Sequence, residues 1–189
     1  MMFLLRYRAS AVLLCCVAGL TLGCATPRRE KGVCQKPVDA PAVMSRKLLV
    51  GRKESVTVLP QNMEYEARID TGAAICSICA TNIERFERDG KKWVRFELPP
   101  PAAWEGENPQ GRIKMELPMV RHIRIRQHGL ETQKRPTVKL LVRLGSIEDC
   151  AEFSLVDRTG HDFPMLIGRN LLEGYAIVDV SKSHVASPK

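Results

Sequence analysis

Asp70-Thr71-Gly72-Ala73 holds the most specific chemistry in this chain of 189 residues. A carboxylate presented on a sharp turn after a strand can work as a general acid or base. Its neighbours suit that task. Gly72 lets the backbone turn and approach closely, the Thr71 hydroxyl can brace a facing loop, and Ala73 keeps the space beside the carboxylate small. Acid/base hydrolysis of a peptide bond needs two carboxylates that share one proton. The ionised one takes a proton from the attacking water, and the protonated one hydrogen-bonds the scissile carbonyl. Close like charges cannot both ionise cheaply, so the pair holds a proton near working pH. Asp-Thr-Gly occurs once. Asp157, Asp162 and Asp179 lie in or near apolar strands, but none sits in a Thr-Gly or Ser-Gly turn. The second carboxylate is therefore expected from a second copy of the chain, across a two-fold axis beside Asp70.

The elements that must position this turn read as short strands. Tyr65 to Ile69 alternates and runs into Asp70. Leu48 to Leu59 reads as a first strand broken at Gly51, and Lys92 to Leu98 alternates after an Asp89-Gly90 hairpin turn. Pro99, Pro100 and Pro101 stop that strand, and a long surface loop is expected from there to Pro118. His122 to Arg126, Thr137 to Leu144, Ala151 to Val156 and Tyr175 to Val180 read as further strands, with turns near His128-Gly129 and Gly145-Ser146. Met165-Leu166-Ile167 is a brief apolar strand, and Asn170 to Glu173 starts a short helix. Many strands with turn signals every 8 to 12 residues or so indicate an all-β barrel or sandwich.

Two motifs in order make a family resemblance specific. Ala67-Arg68-Ile69-Asp70-Thr71-Gly72-Ala73 resembles the active-site strand and turn of retropepsins, the single-domain aspartic peptidases. About 95 residues later, Met165-Leu166-Ile167-Gly168-Arg169-Asn170-Leu171-Leu172 is similar to their second signature. The chain resembles most a bacterial branch often labelled ATP-dependent zinc protease, which includes RimK-associated members. Trp93-Val94-Arg95-Phe96 and Phe86-Glu87-Arg88-Asp89-Gly90 also look like that branch. The resemblance implies an all-β, retropepsin-like closed β-barrel (the acid protease fold) with one short helix after Gly168-Arg169-Asn170. It implies Asp70, Thr71 and Gly72 as the catalytic turn, Gly168, Arg169 and Asn170 as the structural motif behind it, and a homodimer. A retropepsin also needs a flap that closes over substrate. The hairpin Arg121 to Pro136 is the candidate, the 99–118 loop its competitor. Ala73, Arg124, Arg126, His128 and Gly129 are then the expected substrate-binding residues, with Lys134 and Arg135 near the cleft.

The residues support an aspartic mechanism and neither the zinc nor the ATP half of that label. None of His122, His128, His161 or His184 lies in a His-Glu-x-x-His context. Gly106 and Gly111 have the glycine spacing of a phosphate-binding loop but continue into Arg112-Ile113, without the Lys and hydroxyl. No metal or cofactor is expected. The branch usually has Ser or Thr where this chain has Cys76, and often His where it has Cys79. Cys76-Ser77-Ile78-Cys79 has three readings: buried thiols replacing small polar residues, a disulfide involving Cys150 or Cys34, or a metal site with Cys150 or His161.

The first 23 residues read as a lipoprotein-type signal peptide. Arg6 and Arg8 precede an apolar run from Ala11 to Leu22, too short to span a bilayer comfortably. Thr21-Leu22-Gly23-Cys24 resembles a lipobox that would lipidate Cys24, although Thr21 stands where Leu is usual. A plain signal peptide or an uncleaved anchor is the alternative. Ala25 resembles lipoproteins sent to the outer membrane, so a periplasm-facing position in a bacterial cell envelope is expected. Residues 24–44, with Pro27, Pro37 and Pro41, read as a flexible tether. Residues 45–184 form the peptidase domain and 185–189 a tail. Losing Arg6 and Arg8 lowers the formal charge from +8 to +6. A basic surface suits acidic peptides, lipids or glycans, and nothing interleaves aromatic and basic residues as nucleic-acid stacking requires. The reading is an exported aspartic endopeptidase acting on a peptide or protein substrate. Its rivals are a non-catalytic peptide or cell-envelope binding module on the same fold, and a metal-dependent hydrolase using Cys76, Cys79 and a histidine.

Overall fold

The computed structural model describes residues 46–59, 61–101, 111–125 and 132–186. The expected leader, Cys24 and the tether lie outside these, as do Arg126, His128 and Gly129.

The described chain is built almost entirely of strands: β1 (Leu48–Val50), β2 (Lys53–Leu59), β3 (Met63–Ile69), β4 (Cys76–Cys79), β5 (Thr81–Arg88), β6 (Lys91–Leu98), β7 (Ile113–Pro118), β8 (His122–Ile125), β9 (Gln133–Leu144), β10 (Ile147–Val156), β11 (Met165–Ile167) and β12 (Ala176–Val178). One short helix, α1 (Arg169–Leu172), follows β11. Six strands pair in the ring β2-β3-β11-β4-β10-β9, and β9 pairs with β2 to close it. This is the closed barrel with one short helix that the sequence predicts.

Alternation builds the wall. In β3, Met63, Tyr65, Ala67 and Ile69 are buried while Glu64, Glu66 and Arg68 face out. β2 turns Val56 and Val58 inward in antiparallel register, with Val56 opposite Tyr65. The three-residue β11 has few ladder bonds of its own. It survives because Met165 and Ile167 are fully buried, each contributing roughly 2 kcal/mol of burial. β11 runs parallel to β3, with Ile167 opposite Ile69, and antiparallel to β4, with Met165 opposite Ile78. It thus joins the two strands that flank the Asp70 turn.

Three segments differ from expectation. Ile113–Pro118, expected in a surface loop, is β7, antiparallel to β6 with Phe96 opposite Met115. The prolines hide it, but Met115 and Leu117 face the core at period two. Cys76–Cys79 is a strand although it lacks alternation, because all four residues are buried between β10 and β11. Thr81–Arg88 is a strand too, the outer arm of the hairpin around Asp89 and Gly90, which take the positive φ values of 51° and 69° that such a turn demands.

The far end of the chain is tied in. Fully buried Glu54 accepts backbone N–H bonds at Oε1 from Gly51, Val185 and Ala186, and a second from Ala186 at Oε2. Residues 185 and 186, read from sequence as tail, are therefore held against β2. β1 and β12 lie side by side in parallel, Leu49 opposite Ile177.

Candidate functional site

Asp70 stands where β3 ends, and its position is set from behind. Its N–H donates to the Ile167 carbonyl at 2.9 Å, so β11 fixes where the turn begins. The turn folds back on the carboxylate: the N–H groups of Gly72 and Ala73 donate to Asp70 Oδ1 at 3.0 and 3.2 Å. Both bonds fall on one oxygen. A Cβ on Gly72 would lie 3.2 Å from that oxygen, tighter than most contacts, so glycine keeps the carboxylate close to its donors. Asp70 is part-buried, whereas Thr71 and Gly72 are exposed.

Gly168-Arg169-Asn170 braces the turn. A side chain at Gly168 would strike the Ile75 carbonyl carbon at 2.5 Å, so only glycine lets the two backbones cross there. The Arg169 Nη1 donates to the carbonyls of both Thr71 and Gly72 at 3.0 Å, and its backbone N–H to that of Ala73 at 2.9 Å. Asn170 Oδ1 accepts the Cys76 N–H at 3.0 Å, while its Nδ2 donates to the Glu152 carbonyl at 2.9 Å. The three residues thus reach the catalytic turn, β4 and β10 at once.

Cys76 and Cys79 are buried free thiols, in keeping with the first of their three readings. The Cys76 Sγ–H donates to Asn170 Oδ1 at 3.1 Å and its sulfur accepts the Gly168 N–H at 3.3 Å. Burial pushes this thiol up to about 12, with the Gly168 bond pulling slightly the other way. Burial also raises Cys79, whose sulfur accepts the Arg158 N–H. Such thiols stay protonated and inert. Neither Cys76 nor Cys79 forms the disulfide of the second reading, and Cys150 is disulfide-bonded. Among the described residues no three His, Cys, Asp or Glu side chains gather as metal ligands.

A groove of about 600 Å³ opens beside Asp70. Arg68, Ile69, Asp70 and Thr71 form one wall, and Arg158, His161, Asp162 and Phe163 line the other. Arg158 escaped the sequence reading. It lies in the loop after β10, where no spacing rule connects it to a turn 88 positions earlier. The flap candidate is a real hairpin: β8 pairs antiparallel with β9, Ile123 opposite Arg135 and Arg124 opposite Lys134. Alternation puts exposed Arg124 on one face and half-buried Arg135 on the other. At the hairpin base the Arg121 guanidinium donates twice to the Glu152 carboxylate, at 2.8 and 3.0 Å, and Thr137 Oγ1 donates to the Arg121 carbonyl. Of the competing 99–118 segment, the Pro99 carbonyl accepts the Tyr65 hydroxyl and Ile113–Pro118 pairs with β6, while residues 102–110 lie outside the described residues.

Comparison with known proteins agrees with this architecture. A family profile described as retropepsin-like aspartic endopeptidase RimB matches residues 49–189. A crystal structure of a Legionella pneumophila protein of unknown function superposes with a TM-score of 0.61 at 26% identity, covering 75% of this chain and 100% of that one. Two proteins named "Probable alpha-L-glutamate ligase" are similar. The one from Parasynechococcus marenigrum is 31% identical over 75% of this chain and 30% of its own length. The one from Shewanella pealeana is 33% identical over 66% of this chain and 26% of its own length. The chain therefore spans less than a third of the relatives it matches. The profile takes in both the Asp70 turn and its Gly168-Arg169-Asn170 support, and the chain belongs to the RimB-like family of retropepsin-like aspartic endopeptidases.

Proposed function

We propose that this protein is an exported, lipid-anchored aspartic endopeptidase that cleaves peptide bonds with a water activated by Asp70, its dyad completed by Asp70 of a second copy. The observation that carries this reading is the asymmetry of the Asp70 carboxylate. Two backbone N–H groups engage Oδ1 and leave Oδ2 open to a water or a facing carboxyl. The two donors fix where the carboxylate stands, as a positioned general base requires. Two such turns related by a two-fold axis share one proton, so that one carboxylate accepts from water while the other donates to the substrate carbonyl. The β8–β9 hairpin, clamped at its base and projecting from the barrel, supplies the flap. Localisation rests on the leader and on Cys24, whose lipid would hold the domain at the envelope membrane on the tether. The ligase activity in the names of the longer relatives is not carried over, because this chain matches less than a third of them.

The test is Asp70→Asn in the full chain. Amide replaces carboxylate at the same size and still accepts the Gly72 and Ala73 bonds, so the fold is retained. Cleavage of a mixed peptide library is expected to vanish while the thermal melting profile stays unchanged. Turnover equal to that of wild type would remove the aspartic mechanism, and no turnover by either protein would favour the binding module on the same fold.

A further inference from the structure

β1 and β12 form a two-stranded sheet of their own, and its two faces differ. One face meets the barrel: Val50 is fully buried, and Leu48, Ala176 and Val178 pack against the core. The other face is apolar and open. Leu49 and Ile177 stand opposite each other in the parallel register, 39% and 55% exposed. Tyr175, two residues before Ile177 and so on the same face, is 42% exposed. Its carbonyl accepts the Leu48 N–H at 2.8 Å, which carries the pairing one row beyond β12. Single exposed apolar side chains are ordinary, but three in adjoining rows of one sheet face make a surface suited to a partner.

The charge around this face is mostly of one sign. Arg46 and Lys47 precede β1 and Arg52 follows it, all exposed. None of the three forms an ion pair among the described residues. Of the acids nearby, Glu173 is exposed, and the Asp179 carboxylate is held by Ser181 and Lys182. Arg46 is also where the preceding 45 residues join the domain. A flexible tether of about 20 residues spans about 25 Å on average. An anchored bilayer therefore meets the face at the root of the tether at an effective concentration that a freely diffusing protein does not reach. Its chemistry also matches. Apolar side chains and a tyrosine suit the headgroup boundary, and lysine and arginine beside them suit anionic headgroups.

We propose that the open β1–β12 face docks on a bilayer with anionic headgroups. Leu49, Tyr175 and Ile177 enter the headgroup region, and Arg46, Lys47 and Arg52 meet its phosphates. This rests on the membrane-anchored reading and adds an orientation to it. The domain sits on the membrane by one face and does not swing freely on its tether, which gives the Asp70 groove a fixed height above the bilayer.

The experiment places the full chain in vesicles of phosphatidylethanolamine with phosphatidylglycerol, and in neutral vesicles of phosphatidylcholine, each doped with a photoactivatable phospholipid. Labelled peptides are mapped by mass spectrometry. Labelling is expected within residues 46–52 and 174–182 in the anionic vesicles, and about tenfold less in the neutral ones, the scale of one or two cation–headgroup contacts. Ile177→Asp should lower labelling of both segments by about three- to tenfold, as withdrawal of one large apolar side chain implies. Val120→Asp, which alters an exposed apolar residue between β7 and β8, should leave it unchanged. Melting profiles in detergent confirm that both variants fold. Labelling confined to residues before Arg46 overturns the docking and leaves the anchor intact. Equal labelling in the two lipid mixtures, or labelling that survives Ile177→Asp, also overturns it. A lysine-reactive cross-linker that joins Lys47 of two copies, while the face stays free of lipid label, makes the face a contact between copies and removes the proposal. The intact mass of the purified chain reports the lipid on Cys24 separately. A chain found without it is added to the same vesicles from outside, where the same labelling supports the docking face and its absence overturns it.

Discussion

At the scale of the residue, Cys76 shows a thiol performing the work of a hydroxyl. It donates to Asn170 and accepts from Gly168, and so ties β4 to the segment that supports the catalytic turn. Serine offers the same donor and acceptor on a shorter bond, so Cys76→Ser is expected to shift the urea midpoint by less than about 1 kcal/mol. Cys76→Ala removes both partners and leaves the Gly168 N–H buried and unpaired, which costs about 1–3 kcal/mol. Equal midpoints for the two variants would show that packing and not hydrogen bonding retains this thiol. The chemistry at this scale was partly legible in the sequence. Asp70, Gly72 and Gly168 stand out because they lie in two short motifs, and backbone geometry requires glycine at Gly168 and crowds a side chain at Gly72. Arg158 does not, since its place beside Asp70 depends on where the loop after β10 lies in space, and no local pattern records that.

At the scale of the element, β11 does the most with the least chain. Three apolar residues hold the turn-bearing strand β3 and the thiol-bearing strand β4 together. Its wholly apolar run is readable because Met165 and Ile167 are fully buried on one face and Leu166 is half-buried on the other. β4 and β7 were missed for opposite reasons, one lacking alternation and the other following a run of prolines. The flap hairpin owes its footing to the Arg121–Glu152 pair. The Arg121 guanidinium, against some desolvation and aided by Thr137, holds the Glu152 carboxyl below the usual glutamate range. A carboxyl depressed in the folded state stabilises above its unfolded pKa and loses that contribution as pH falls through the folded one. The stability gap between wild type and Glu152→Gln should therefore be present at neutral pH and close below the ordinary glutamate range. A gap that widens on acidification would contradict the pairing. In the proposed dimer, acid conditions that favour the shared proton would also loosen the base of the β8–β9 hairpin.

At the scale of the whole molecule, one Asp-Thr-Gly per chain means that the proposed dyad would make activity a property of the pair. Mixing wild type with Asp70→Asn in equal amounts, under conditions of subunit exchange, leaves about a quarter of dimers with both carboxylates, since association through a two-fold interface is statistical. Activity is expected to fall to about that quarter. A fall to one half would mean that each chain works alone. The barrel class and its two signatures were legible here because both rest on short-range patterns, whereas the ring order β2-β3-β11-β4-β10-β9 follows from long-range pairing. The way the chain begins and ends its barrel has a further consequence. β1 lies against β12, and Leu48 and Ala186 both crowd Gly145. A unit whose two ends meet can be spliced into a larger polypeptide without stretching a linker around it. Relatives about two and a half times the length of this chain are what such a cassette allows.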